Sequence, residues 1–148
     1  MRYDSKSLED TMAFAENLAK EAKPGDILCL CGPLGAGKTA FAKGFAKGLG
    51  VTGHVNSPTF TIMQVYDEGR LTLYHFDLYR LMDVEMDLDA LDDIGFLDYL
   101  EGDGVCLVEW AEYAKEAVPD GAKWVRIDVA DRSEDYGSNS SERTIHIC

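Results

Sequence analysis

The chain has 148 residues, 46% of them hydrophobic, and a formal net charge of −13. That length and apolar content suit one domain with one sizeable core and exclude a disordered tail. No apolar run reaches about 18 residues, which excludes a transmembrane helix, and the excess of negative charge argues against stand-alone RNA or DNA binding, because phosphates would be repelled.

The opening Met1-Arg2-Tyr3-Asp4-Ser5 lacks the apolar core and cleavage site of a secretory signal, so a cytoplasmic chain is expected, a single domain over residues 1–148. A first helix is predicted from Ser7. Ser7 and Asp10 resemble a capping box, Leu8, Met12, Ala15, Leu18 and Ala22 form a helical stripe, and Pro24-Gly25 ends it. Ile27 to Cys31 is a short continuous apolar run, as in a buried strand. A glycine-rich turn follows, then a helix with Phe41, Phe45 and Leu49 at four-residue spacing, closed by Gly48 and Gly50.

Residues 59–66 and 70–77 are predicted as two strands joined by Asp67-Glu68-Gly69. Residues 84–91 and 95–100 are partly helical in pattern, 105–110 form another buried strand, and 124–129 and 144–147 form late strands. The polar stretch 131–141 is predicted as a loop. Strand, loop, helix and further strands indicate a layered α/β domain, whose sheet order cannot be read from this pattern.

Of the four cysteines, Cys29, Cys31 and Cys106 sit in apolar runs, and neither these nor Cys148 form a CxxC pair or a Cys/His cluster with zinc spacing, so reduced, buried thiols are expected. Residues 82–114 contain no Lys or Arg but eleven Asp and Glu. Such a face suits docking onto a basic protein surface, or serves solubility alone.

The strongest signal is Gly32-Pro33-Leu34-Gly35-Ala36-Gly37-Lys38-Thr39, which matches the phosphate-loop pattern G-x-x-x-x-G-K-[ST] between an apolar run and an amphipathic helix. Gly32, Gly35 and Gly37 let the backbone turn tightly and aim its N–H groups at phosphate. The helix N-terminus adds the positive end of its dipole. Lys38 supplies a mobile charge for the β- and γ-phosphates, and the Thr39 hydroxyl is the expected Mg²⁺ ligand. Leu34, Ala36 and Ala40 complete the expected nucleotide-binding stretch.

A second carboxylate is expected at the end of a buried strand. Glu109 ends the run Val105-Cys106-Leu107-Val108, so it reads as a metal ligand, or as a simple strand end at the surface. Trp110 beside it is suited to cover the site. In Tyr74-His75-Phe76-Asp77-Leu78-Tyr79-Arg80, Asp77 is a candidate to orient or deprotonate water or to reach the metal through water. Arg80 is a candidate for phosphate charge or for pairing with Asp77 or Asp83, and His75 reads as structural before catalytic. Thr59, in the loop Asn56-Ser57-Pro58-Thr59-Phe60, is a metal or water contact or part of a capped strand entry with Ser57. A guanine-reading N-K-x-D motif is absent, and Asp92-Asp93-Ile94-Gly95 has no apolar strand before it, so ATP or ADP with Mg²⁺ is favoured over GTP.

Together, GPLGAGKT at 32–39, NSPTF at 56–60, YHFDLYRL at 74–81 and CLVEW at 106–110 resemble the TsaE family, the bacterial ATPases of tRNA threonylcarbamoyladenosine synthesis. The segment Ile94-Gly95-Phe96-Leu97-Asp98-Tyr99 is also similar, and the motifs occur in family order across most of the chain. The resemblance implies a three-layer P-loop NTPase fold with a mixed central sheet flanked by helices. It implies weak intrinsic ATPase activity and action with the partner proteins TsaB and TsaD, in which the partners handle the tRNA. It also implies Lys38 and Thr39 at phosphate and Mg²⁺, Glu109 at Mg²⁺, Asp77 as an essential acid, Thr59 in a switch-like loop and Trp110 beside the nucleotide.

Three positions depart from that pattern: Pro33 for an acidic residue, Ala40 for a second Thr, and Ala111 for a Pro. None removes a group named above, although Pro33 has no N–H to offer phosphate. Two other readings stand beside the ATPase. A small-molecule kinase would need a lid with several arginines, and the six here do not cluster in sequence. A nucleotide-gated binding module would keep Lys38 and Thr39 without appreciable turnover.

Overall fold

The computed structural model describes residues 1–33, 36–52, 63–78, 98–99, 102–112, 115, 118–129 and 142–147. Their elements are β1 (Arg2–Ser5), α1 (Leu8–Lys20), β2 (Ile27–Cys31), α2 (Lys38–Leu49), β3 (Met63–Tyr66), β4 (Leu73–Asp77), β5 (Val105–Glu109), β6 (Lys123–Val129) and β7 (Arg143–Ile147). The seven strands form one sheet in the order β1-β7-β6-β2-β5-β4-β3. The central strands β6, β2, β5 and β4 run parallel, and the outer pairings β6–β7, β7–β1 and β4–β3 are antiparallel. This is the mixed central sheet of a P-loop NTPase fold.

Every residue of β2 and β5 is buried, because these two strands lie at the centre with apolar layers on both faces. Leu28, Leu30, Leu107, Val125, Ile127 and Ile145 face α1 and α2. Ile27, Cys29, Phe76, Cys106 and Val108 face the opposite layer, where Tyr99 and Trp124 pack. The Phe41, Phe45 and Leu49 stripe of α2 is at most 1% exposed, as its spacing predicts.

Two expectations about the helices are corrected. Ser7 does cap α1, accepting from the Asp10 N–H at 3.0 Å, but the buried face of α1 is Thr11, Ala15 and Ala19. Leu8 is exposed, and Met12 and Leu18 are half-buried. Gly48 does not close α2; Gly50 alone does, in the left-handed conformation at φ 96°. Gly44 and Gly48 instead let α1 approach so closely that only small side chains fit in the seam. A Cβ at Gly44 would lie 2.2 Å from the Met12 carbonyl oxygen, and one at Gly48 would lie 2.3 Å from that of Glu16.

Thr11 is tolerated in this seam because its hydroxyl meets the buried Ser5 hydroxyl at 2.6 Å, and Ser5 Oγ donates onward to the Ser7 carbonyl at 2.8 Å. Ser5 belongs to β1, a strand the sequence pattern does not reveal. The strands β3 and β4 form the expected antiparallel pair. The predicted start of β3 before residue 63, most of the predicted helical stretches at 84–91 and 95–100, the loop at 131–141, and Cys148 lie outside the described residues.

Candidate nucleotide site

The phosphate loop leaves β2 at the C-terminal end of the parallel strands. Gly32 is the first residue beyond the strand, at φ 142°. A Cβ there would sit 2.1 Å from the Ile127 carbonyl oxygen, so glycine lets the loop pass against β6. The Ala36 N–H donates to the Pro33 carbonyl at 3.1 Å. Pro33, which has no N–H, thus contributes its carbonyl to the turn. Gly37 caps α2 in the left-handed region at φ 105°. Lys38 and Thr39 are therefore in the first turn of a helix whose N-terminal N–H groups suit an anion.

Lys38 is 5% exposed. Its Nζ donates to the Gly32 carbonyl at 2.5 Å and lies 3.3 Å from the centre of the Trp110 ring. Burial pulls the ammonium below its ordinary value, and the carboxylates of Glu112, Glu109 and Asp77 act against that pull. Trp110 has φ 60°, the only positive value at a non-glycine position among the described residues. An aromatic residue in this region is strained, and such strain concentrates at ligand sites. The Trp110 N–H donates to the Leu30 carbonyl at 3.1 Å, which ties the strained residue to the strand preceding the loop.

Asp77 and Glu109 end neighbouring parallel strands and are partners in the register. Strand alternation puts Leu73, His75 and Asp77 on one face of β4, and Val105, Leu107 and Glu109 on the same face of β5, toward the helices. Glu109 is 3% exposed, so it is not a surface strand end. Its Oε2 lies 2.5 Å from His75 Nε2, and His75 is fully buried. Among the described residues, His75 Nδ1 has no hydrogen-bond partner.

Lys38, Asp77, Glu109 and Trp110, expected together from sequence, are therefore gathered around the loop. Thr39 and Ala40 follow Lys38 in α2, and Thr39 is exposed. Leu34, Gly35, Ser57, Thr59 and Arg80 lie outside the described residues.

Two residues near the site were not anticipated. Glu112, two residues beyond Trp110, is the foremost carboxylate acting on Lys38. Arg143 Nε donates to the Ala36 carbonyl at 2.8 Å. Its signal was available: Arg143 shares a strand face with the buried Ile145, and a charge on an apolar face asks for a partner.

The family model for the threonylcarbamoyl adenosine biosynthesis protein TsaE matches residues 5–143. The chain belongs to the TsaE family. It is 54% identical over 111 residues to the tRNA threonylcarbamoyladenosine biosynthesis protein TsaE of Bacillus subtilis, a match that spans 75% of this chain and 66%, just under two thirds, of that relative. It is 42% identical over 120 residues to the TsaE protein of Treponema pallidum, spanning 81% of this chain and 85% of that one. The crystal structure of Bacillus subtilis YdiB is similar with a TM-score of 0.77 at 42% identity, covering 98% of this chain and 82% of that chain. The TsaE resemblance and the P-loop fold read from the sequence both hold. Among the described residues, no helix is long and apolar enough to cross a membrane.

Proposed function

We propose that this chain binds ATP with Mg²⁺ at the phosphate loop and hydrolyses it weakly by itself, in support of tRNA threonylcarbamoyladenosine formation by TsaB and TsaD. The single observation that carries this reading is the convergence of Lys38 with Asp77 and Glu109, the paired ends of β4 and β5. A phosphate loop with acidic residues at neighbouring strand ends is the arrangement that phosphoryl transfer to water uses.

In this reading the loop N–H groups and the N-terminus of α2 bind the phosphates. Lys38 exchanges the Gly32 carbonyl and the Trp110 face for phosphate oxygens. Trp110 covers that exchange from the solvent side. Asp77 orients the attacking water or accepts its proton, and His75 holds the Glu109 carboxylate in one orientation.

Thr39 and Glu109 are the residues to hold Mg²⁺, with Asp77 nearby. All three offer oxygen donors, which suits a hard cation. Among the described residues no group of three or more His, Cys, Asp or Glu forms a ready-made metal cage. Mg²⁺ is usually held by one or two protein oxygens, water and phosphate, and Thr39 and Glu109 supply such oxygens. Bound there, Mg²⁺ would neutralise charge on the phosphates.

The net charge of −13 supports a division of labour in which tRNA contact belongs to the partners. The test is phosphate release from Mg·ATP by the protein alone and with TsaB and TsaD of the same organism. A low basal rate, with tRNA modification dependent on this chain and on ATP, is expected. Transfer of phosphate to a small acceptor would favour a kinase instead. Nucleotide-dependent partner binding without phosphate release would favour a gated binding module.

A further inference from the structure

Arg143 begins β7, 9% exposed, in the strand face occupied by the core residue Ile145. Because β7 runs antiparallel to β6, Arg143 stands opposite Val129, at the end of the sheet where the phosphate loop leaves β2. Its Nε donates to the Ala36 carbonyl at 2.8 Å and its Nη1 donates to the Glu142 carbonyl at 2.9 Å. A Cβ placed on Gly37 would lie 3.8 Å from Nε, so the guanidinium rests against the cap of α2.

A phosphate loop turns its N–H groups toward the ligand, which leaves carbonyls directed into the protein. Each buried carbonyl needs a donor. Ala36 is fully buried, and its peptide links the turn from Pro33 to Gly37, the cap of α2. A guanidinium keeps its charge at any working pH and holds its donors in a rigid plane.

We propose that Arg143 is a positioning residue for the nucleotide site: it fixes the Ala36–Gly37 segment so that the loop N–H groups converge on phosphate. This inference rests on the ATP-binding reading above. It couples the C-terminal strand of the sheet to the affinity of the loop, across 107 residues of sequence. A hydrogen bond from a charged donor commonly affects binding by about tenfold or more when lost.

The test is equilibrium binding of Mg·ADP to the wild type, Arg143→Lys and Arg143→Gln, with thermal unfolding of each. The folded variants are expected to bind roughly tenfold more weakly. In ATP turnover, KM should rise more than kcat falls, because the loop is misplaced while Asp77 and Glu109 are untouched. A purely structural arginine would lower the unfolding temperature and leave Kd and KM alone. Affinity within about twofold of wild type in a folded variant would overturn the inference.

A second measurement does not depend on folding of the variants. In the wild type, the Arg143 Nε–H resonance should shift, and its exchange should slow, when Mg·ADP is added. An unchanged resonance in protein that binds Mg·ADP would also overturn the inference. Failure of the wild type to bind either ATP or ADP would overturn the nucleotide reading and this inference together.

Discussion

His75 Nε2 and Glu109 Oε2 lie 2.5 Å apart, with their side chains 0% and 3% exposed. The pair links adjacent strands β4 and β5 directly beneath the candidate site. Removing the histidine takes away a buried partner of Glu109 and opens a gap in the sheet face. His75→Ala should therefore lower stability by about 2–5 kcal/mol in urea denaturation. Adding Glu109→Gln should recover part of that loss, because a neutral amide needs the partner less than a carboxylate does. A fall below about 1 kcal/mol, or strictly additive effects, would contradict a coupled pair.

The seam between α1 and α2 makes a second prediction. Gly44→Ala would ordinarily favour a helix by roughly 1 kcal/mol. Here the new Cβ would meet the Met12 carbonyl oxygen at 2.2 Å, a backbone atom that cannot rotate away. The substitution should destabilise by roughly 1–3 kcal/mol, read by thermal or chemical denaturation. A stabilised variant would mean that the helices separate without penalty.

The thiols of Cys29 and Cys106 are each pushed up to about 12 by burial, so neither is a thiolate near neutral pH. Both should resist iodoacetamide at pH 8 in the folded protein and react in urea, as read by mass spectrometry of the tryptic peptides. Prompt native-state labelling of either would contradict the packed core face to which both belong.

The sequence made local features legible. The apolar run of β2 and the four-residue stripe of α2 depend on neighbours within a turn or strand, and each matches the structure. Glu109 was legible because a charge ending an apolar strand is conspicuous. The remainder depended on contacts distant in sequence. Ala15 and Ala22 of the predicted α1 stripe are in the core, but Thr11 and Ala19 escape the pattern because Leu and Met outrank Ala and Thr in hydropathy, whereas the close seam selects for size. β1 is four residues long and, among the described residues, pairs only with β7 at the far end of the chain, so no local period marks it. Arg143 and Ala36 meet only once β7 is in register beside β6. The His75–Glu109 contact likewise needs the parallel alignment of β4 with β5, although alternation already places His75 and Asp77 on one face.

In the proposed function, Lys38 and Glu109 serve a bound nucleotide in different ways. The most direct measurement compares Mg·ATP affinity and single-turnover phosphate release in the wild type, Lys38→Ala and Glu109→Gln, each checked for folding. Lys38→Ala should lose affinity by at least roughly a hundredfold, since it removes a charge-assisted contact to phosphate. Glu109→Gln should retain binding within about tenfold while phosphate release falls further. Unchanged ATP affinity in folded Lys38→Ala would contradict the site itself, and unchanged turnover in folded Glu109→Gln would make that carboxylate structural.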